Sequence, residues 1–154
     1  MKKVFVAACL SLISGPCFAE TGGSCQSASG KFITPLVELY TSEGCSSCPP
    51  ADVWMSQQIR RKDIKANYLA FHVDYWDYIG WRDRFAQARF GQRQRDMVNR
   101  GGGRVVYTPQ VMLNGRDFRN WHNPAAFDDA VRRAGARPLQ ARLALAVDNK
   151  AADG

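Results

Sequence analysis

Leu36-Val37-Glu38-Leu39-Tyr40-Thr41-Ser42-Glu43-Gly44-Cys45-Ser46-Ser47-Cys48-Pro49-Pro50 decides the fold. An apolar run broken by one acid, Glu38, reads as a buried strand, and the paired prolines suit a first helical turn, where missing N–H groups do no harm. Cys45 and Cys48 therefore sit where a strand hands over to a helix. Thiols at this spacing can close a small disulfide. At a helix N-terminus the free N–H groups and the macrodipole also favour a thiolate. A fall in thiol pKa from about 8.5 to about 6 represents roughly 3 kcal/mol in favour of the thiolate. That is the physical basis of disulfide exchange. A static disulfide or half of a zinc site are the alternatives.

Outward from this junction, Trp54, Met55 and Ile59 fall at helical spacing, and Tyr68 to Asp74 reads as a second buried strand, with Leu69, Phe71 and Val73 on one side and Ala70, His72 and Asp74 on the other. An aromatic loop follows, Tyr75-Trp76-Asp77-Tyr78-Ile79-Gly80-Trp81, then a helix expected over Arg82 to Asn99. Val111 to Leu113 reads as a strand, and Asn114-Gly115 as a tight turn into Arg116 to Phe118. Pro124 to Gly135 reads as a helix with Asn123 as N-cap and Gly135 as its stop. Leu139 to Val147 alternates like a further strand without an evident partner. The element order predicts an α/β domain with a mixed central sheet flanked by helices.

Lys2 and Lys3 precede an apolar run from Val4 to Ile13, and Cys17-Phe18-Ala19 offers small residues for cleavage. Residues 1–19 are therefore expected to be a secretory signal, too short for a permanent membrane anchor, placing the chain in the periplasm or outside the cell. The resemblance of Val6 to Cys9 to a lipoprotein box lacks enough apolar sequence before the cysteine. Of the 154 residues, 135 follow this segment, enough for one domain with a core. The formal charge of +7 becomes +5 without the two lysines, a mild excess that does not suggest nucleic acid. In an oxidising compartment Cys25, Cys45 and Cys48 are an odd number, which argues against a disulfide-stapled scaffold. Cys25 lies in a polar stretch, residues 20–30, expected to be a flexible leader.

Thr108-Pro109 stands immediately before the strand that enters the Asn-Gly turn. With the cysteine pair at its junction, this combination resembles the thioredoxin fold over residues 31–136. The resemblance implies that Pro109 is cis and lies beside the disulfide, that Thr108 presents its backbone to substrate, that Cys45 is the exposed attacking thiol, and that Cys48 resolves the mixed disulfide. It also makes Glu38 the proton acceptor for Cys48, because thioredoxins carry a buried carboxylate at nearly this place, with Asp74 as second choice. The wording of Val37 to Asp52, of His72-Val73-Asp74-Tyr75-Trp76-Asp77 and of Tyr107-Thr108-Pro109-Gln110 is similar to a secreted bacterial thioredoxin-like family catalogued as domain of unknown function 1223. Members of that family look longer, so residues 137–154 are expected to begin a β-rich region that continues beyond this chain.

With Pro49 and Pro50 lacking N–H groups, support for a Cys45 thiolate is expected from the Ser47 and Cys48 amides and weakly from the Ser46 and Ser47 hydroxyls, with Glu43 opposing it. Ser46, Ser47, Tyr75 and Trp76 are candidate substrate contacts, the bland reading of the aromatic pair being local packing. His72 raises a metal reading, since two cysteines and a histidine suit Cu(I); a hydrogen-bonded core histidine is the alternative. Arg82, Arg89, Arg93 and Arg100 share a helix face, read as solvated. No phosphate-binding glycine loop or serine–histidine elbow occurs, so no cofactor is implied. The leading expectation is an exported thiol–disulfide oxidoreductase acting on a disulfide-containing protein or small thiol, with a redox partner protein. A copper chaperone, or a binding module with a structural disulfide, are the competing ones.

Overall fold

A computed structural model describes residues 25–147. The secretory segment expected at residues 1–19 lies outside them. The described elements are β1 (Cys25–Ala28), β2 (Leu36–Thr41), α1 (Pro49–Arg60), β3 (Asn67–His72), a single 3-10 turn (Asp77–Ile79), α2 (Ala88–Arg100), β4 (Gln110–Leu113), β5 (Arg116–Asp117), α3 (Pro124–Gly135) and β6 (Ala144–Val147). Residues Gly30–Arg142 form one compact unit, and the segments around β1 and β6 belong to another.

In the larger unit four strands lie in the order β3-β2-β4-β5. β2 and β3 are parallel, with Thr41 opposite His72, while β4 runs antiparallel to both β2 and β5. The sheet is thus mixed, as the element order predicts. Its alternation sorts side chains to two faces. Val37, Leu39 and Val111 pack with Ala51 and Met55 of α1 and Phe127 and Val131 of α3. On the other face Tyr40, Met112 and Val73 meet Val98 of α2, with Phe71, Tyr75 and Trp76 at the margin. Arg61, just past α1, grips Asp128 of α3 through both guanidinium nitrogens at 2.6 and 2.8 Å, a bidentate pair that fixes the two helices on their shared face.

The hairpin forms as its sequence requires. Asn114 and Gly115 take φ of 50° and 76°, the left-handed pair of a two-residue turn. Asn123 caps α3 by accepting the Ala126 amide at 3.1 Å. The helix ends at Gly135 as its sequence predicts, with Ala136 in the C-cap position.

Three expectations need correction. Among the described residues β3 pairs with β2 alone and is an edge strand, and Leu69 on it is exposed. The helix expected from Arg82 starts at Ala88. Residues 80–87 are held irregular by Asp83, which accepts the Phe85 amide two residues on, a local bond that competes with helix formation. Third, the stretch read as a flexible leader contains β1, and the last strand spans only Ala144–Val147. These two pair antiparallel, Cys25 opposite Val147, which supplies the partner that the alternating tail lacked in the sequence.

Candidate functional site

Cys45 and Cys48 close a disulfide at the start of α1, with Cα atoms 5.4 Å apart. Cys48 is the N-cap, and prolines fill the first two helical positions. The Ala51 and Asp52 amides both turn to the Cys48 carbonyl, and the Cys48 amide donates to the Cys45 carbonyl at 3.1 Å. The expected support of the Cys45 sulfur by the Cys48 amide is therefore not made. Hydroxyls take that place: Thr108 Oγ1 lies 3.2 Å from Cys45 Sγ and Ser47 Oγ 3.5 Å. Ser46 is exposed and takes no part in these bonds.

The Thr108–Pro109 peptide is cis. The Thr108 carbonyl lies 3.5 Å from Ser47 Oγ, and its hydroxyl accepts the Trp76 indole N–H at 2.7 Å. Trp76 also packs on Gly44, where an added Cβ would come within 3.2 Å of the Trp76 Cβ. This cover corrects the reading of Cys45 as exposed: the residue is 2% exposed and Cys48 is fully buried. Tyr75 is half-buried and donates from its hydroxyl to Gln94 of α2 at 3.1 Å, so Tyr75 and Trp76 pack locally. The exposed aromatic and apolar side chains follow them: Tyr78, Ile79, Trp81 and Phe85. Trp81 reaches back to the loop before Cys45, its indole N–H donating to Glu43 at 3.0 Å.

Glu38 is buried, but on the α2 face of the sheet. Its Oε1 accepts two guanidinium bonds from Arg93, at 3.0 and 2.5 Å, and burial together with the Glu38 charge pushes Tyr40 up to about 12. The strand positions facing α1 are Val37, Leu39 and Thr41, so the carboxylate is one residue out of phase with the helix that carries Cys48. This also removes Arg93 from the solvated stripe. Asp74 lies past the end of β3 and faces Gly91 of α2.

A different set of titratable groups lies at the sheet end facing α1. Asp52, one helical turn beyond Cys48, accepts the Thr41 hydroxyl proton at 2.8 Å. Burial raises its pKa against the pull of that bond and of the His72 charge. His72 Nδ1 meets Asp83 Oδ2 at 2.6 Å, and Asp83 also takes the Glu43 amide at 2.9 Å. Burial opposes ionisation of Asp83, but these bonds outweigh it and hold its pKa below the usual carboxylate range. Neither Asp52 nor Asp83 was singled out from sequence. The signal for Asp52 was its position four residues after Cys48, hence on the same helix face; Asp83 carried none, being reached only through the tertiary fold. Among the described residues no group of three His, Cys, Asp or Glu side chains is placed to hold a metal ion, and His72 directs Nδ1 to Asp83 rather than to the cysteines. Also among them, no helix is long and apolar enough to cross a membrane.

Residues 36–153 match the family described as "Protein of unknown function (DUF1223)". The chain is also similar to a structural-genomics crystal structure of protein AGR_C_4864 from Agrobacterium tumefaciens, with 38% identity and a TM-score of 0.59. The match covers 68% of this chain and 46% of that one, so the present chain spans less than half the solved length. Comparison with curated proteins finds no match.

Proposed function

The chain belongs to the DUF1223 family, whose description names no activity, and from its residues we propose that it is a thiol–disulfide oxidoreductase built on a thioredoxin-like domain over residues 31–136. The observation that carries this reading is the placement of a closed Cys45–Cys48 disulfide at a helix start, with the Thr108 hydroxyl 3.2 Å from Cys45 Sγ. The parallel β2–β3 pair, the antiparallel β4 entered through Thr108–Pro109, and the cysteine pair between β2 and α1 support this reading of the fold.

In the reducing direction the Cys45 thiolate attacks one sulfur of a substrate disulfide, protein or small molecule. A Cys45–substrate S–S bond forms, the substrate's own S–S bond breaks, and the leaving thiolate takes a proton from water. Cys48 then passes its proton to a base and attacks Cys45 Sγ. The mixed bond breaks, the second substrate sulfur leaves as a thiolate, and two electrons have moved from the cysteine pair to the substrate. A substrate dithiol is oxidised by the reverse sequence. Asp52 is the base best placed for Cys48: it shares the helix face, and its raised pKa brings it toward the range useful for proton transfer. Pro109 shapes the site, and Thr108 and Ser47 line it beside the disulfide. The N-terminal sequence pattern supports a periplasmic or secreted setting, where such a pair persists.

The near-complete burial of Cys45 favours a second reading, a structural disulfide that props up the exposed Tyr78, Ile79, Trp81 and Phe85 as a binding surface. The reduction potential separates the two. Equilibration in graded glutathione buffers, with thiols trapped for mass spectrometry, should give a reversible transition between about −120 and −270 mV for an exchange centre. A pair still oxidised below about −300 mV sinks the oxidoreductase reading.

A further inference from the structure

The hydrogen bonds around Cys45 Sγ have a fixed direction. An indole N–H can only donate, so in the 2.7 Å contact Thr108 Oγ1 is the acceptor from Trp76. The hydroxyl carries one proton of its own, and the acceptor in line for it is Cys45 Sγ at 3.2 Å. Ser47 is not equivalent. Its single hydroxyl proton is shared between Cys45 Sγ and the Thr108 carbonyl, each at 3.5 Å, farther from the sulfur than the Thr108 hydroxyl at 3.2 Å. The helix itself adds little, because Pro49 and Pro50 have no N–H and the Ala51 and Asp52 amides serve the Cys48 carbonyl.

We propose that the Thr108 side chain, aimed by Trp76, is the hydrogen-bond donor that holds the reduced Cys45 sulfur in its anionic form, and that Trp76 is the positioning residue that sets this donor. The inference rests on the exchange reading and deepens it. It moves the role of Thr108 from the backbone to the hydroxyl, and that of Trp76 from substrate contact to orientation. Trp76 is itself held in place by its contact with Gly44, the residue before Cys45, so the loop, the indole and the hydroxyl form one chain ending on the sulfur. The titratable groups on the surrounding elements are Glu43 of the loop, Asp52 of α1, His72 of β3, and Asp74, Tyr75, Asp77 and Asp83 beyond it. Asp74 faces Gly91 of α2, and the Tyr75 hydroxyl, which donates to Gln94, also neighbours the Thr108 side chain. Glu43 is engaged by Trp81, Asp52 by Thr41, Asp83 by His72, and Asp77 by the Asp83 amide; the bonds on Cys45 Sγ come from Ser47 and Thr108.

The test is the pH profile of Cys45 alkylation in the reduced protein, mapped by fragmentation mass spectrometry, for wild type, Thr108→Val, Thr108→Ser and Trp76→Phe, with circular dichroism to check folding. Thr108→Val keeps the shape and removes the donor. Its profile should move up by about one pH unit, about tenfold less thiolate at pH 6. Thr108→Ser should restore the wild-type profile to within about twofold, and Trp76→Phe should shift it in the same direction as Val by about threefold. A Thr108→Val profile that overlays wild type overturns the proposal while leaving exchange intact. A Trp76→Phe profile that overlays wild type while Val shifts overturns the positioning role. A pair that cannot be reduced in the folded protein overturns this proposal and the oxidoreductase reading together.

Discussion

Asp83 Oδ2 accepts the main-chain N–H of Glu43 at 2.9 Å, so a buried carboxylate from beyond the aromatic loop pins the backbone two residues ahead of Cys45. The same side chain takes the Phe85 amide and faces His72 Nδ1. One ionised group thereby ties together the loop before the disulfide, the end of β3 and the irregular segment before α2.

That arrangement predicts an acid-sensitive structure. The folded pKa of Asp83 lies below its ordinary value, so its contribution is present above the unfolded carboxylate pKa of about 3.9 and is lost as pH falls through the folded value. Urea unfolding between pH 7 and pH 2 should show stability dropping below about pH 4. Asp83→Asn should lose about 2 kcal/mol at neutral pH and flatten part of that drop. Asp128, held low first by its bond to Arg61, leaves a residual slope in the variant. An unchanged profile in Asp83→Asn would show that other carboxylates carry the dependence.

Glu38 and Arg93 predict a stability effect. Glu38 has no side-chain exposure, whereas Arg93 keeps 41% of its own, so solvent screens one partner. Removing Arg93 leaves a buried charge unpaired, and Arg93→Met should cost about 2 kcal/mol, below the range for fully buried pairs. Glu38→Gln should cost less, and the double variant less than the sum, because the second change removes the orphaned charge. Strict additivity in the cycle would rule out this coupling.

Glu38 also shows where the sequence stops being informative. That β2 is buried, that a helix starts after Cys48, and that Asn114-Gly115 turns the chain were legible, since each rests on local chemistry. Which face Glu38 occupies was not. The strand runs to Thr41, and with a period of two, one residue of spacing decides whether a side chain meets α1 or α2. The start of α2 was hidden for a related reason: Arg82 to Asn99 has the composition of a helix, but the bonds of Asp83 to the Phe85 and Glu43 amides outweigh the propensity of its first turn. The cover over Cys45 comes from Trp76 and Thr108, far apart in sequence and joined only by the fold. The pairing of β1 with β6 was invisible for the same reason.

The hairpin between β4 and β5 should be intolerant of change at both turn positions. Asn114 exchanges two hydrogen bonds with Leu36, its amide donating to the Leu36 carbonyl and its Oδ1 accepting the Leu36 amide, both at 2.8 Å. Gly115 adopts a φ of 76°, and a Cβ there would lie 2.3 Å from Met97 Cε. Gly115→Ala should cost about 1–2 kcal/mol from the left-handed backbone alone. The methionine end can swing aside, so adding Met97→Ala should not recover that loss. Thermal unfolding of the single and double variants checks this; full recovery in the double would mean that the clash, rather than the backbone, sets the cost.

Asp52 gives the sharpest contrast with the expectation from sequence. If it accepts the Cys48 proton, Asp52→Asn should slow the resolution step, read as the lifetime of a mixed disulfide between Cys45 and glutathione, by about 10²-fold at pH 6. The deficit should close as pH rises past the ordinary thiol range near 8.5, because solvent then removes the proton unaided. Glu38→Gln, whose carboxylate faces Arg93 across the sheet, should leave the same lifetime within a few-fold once the folded fraction is accounted for. The two variants together make the assignment decidable. A long-lived mixed disulfide in Glu38→Gln and a normal one in Asp52→Asn would return the proton to the strand carboxylate, and would require the β2 end to rearrange on reduction.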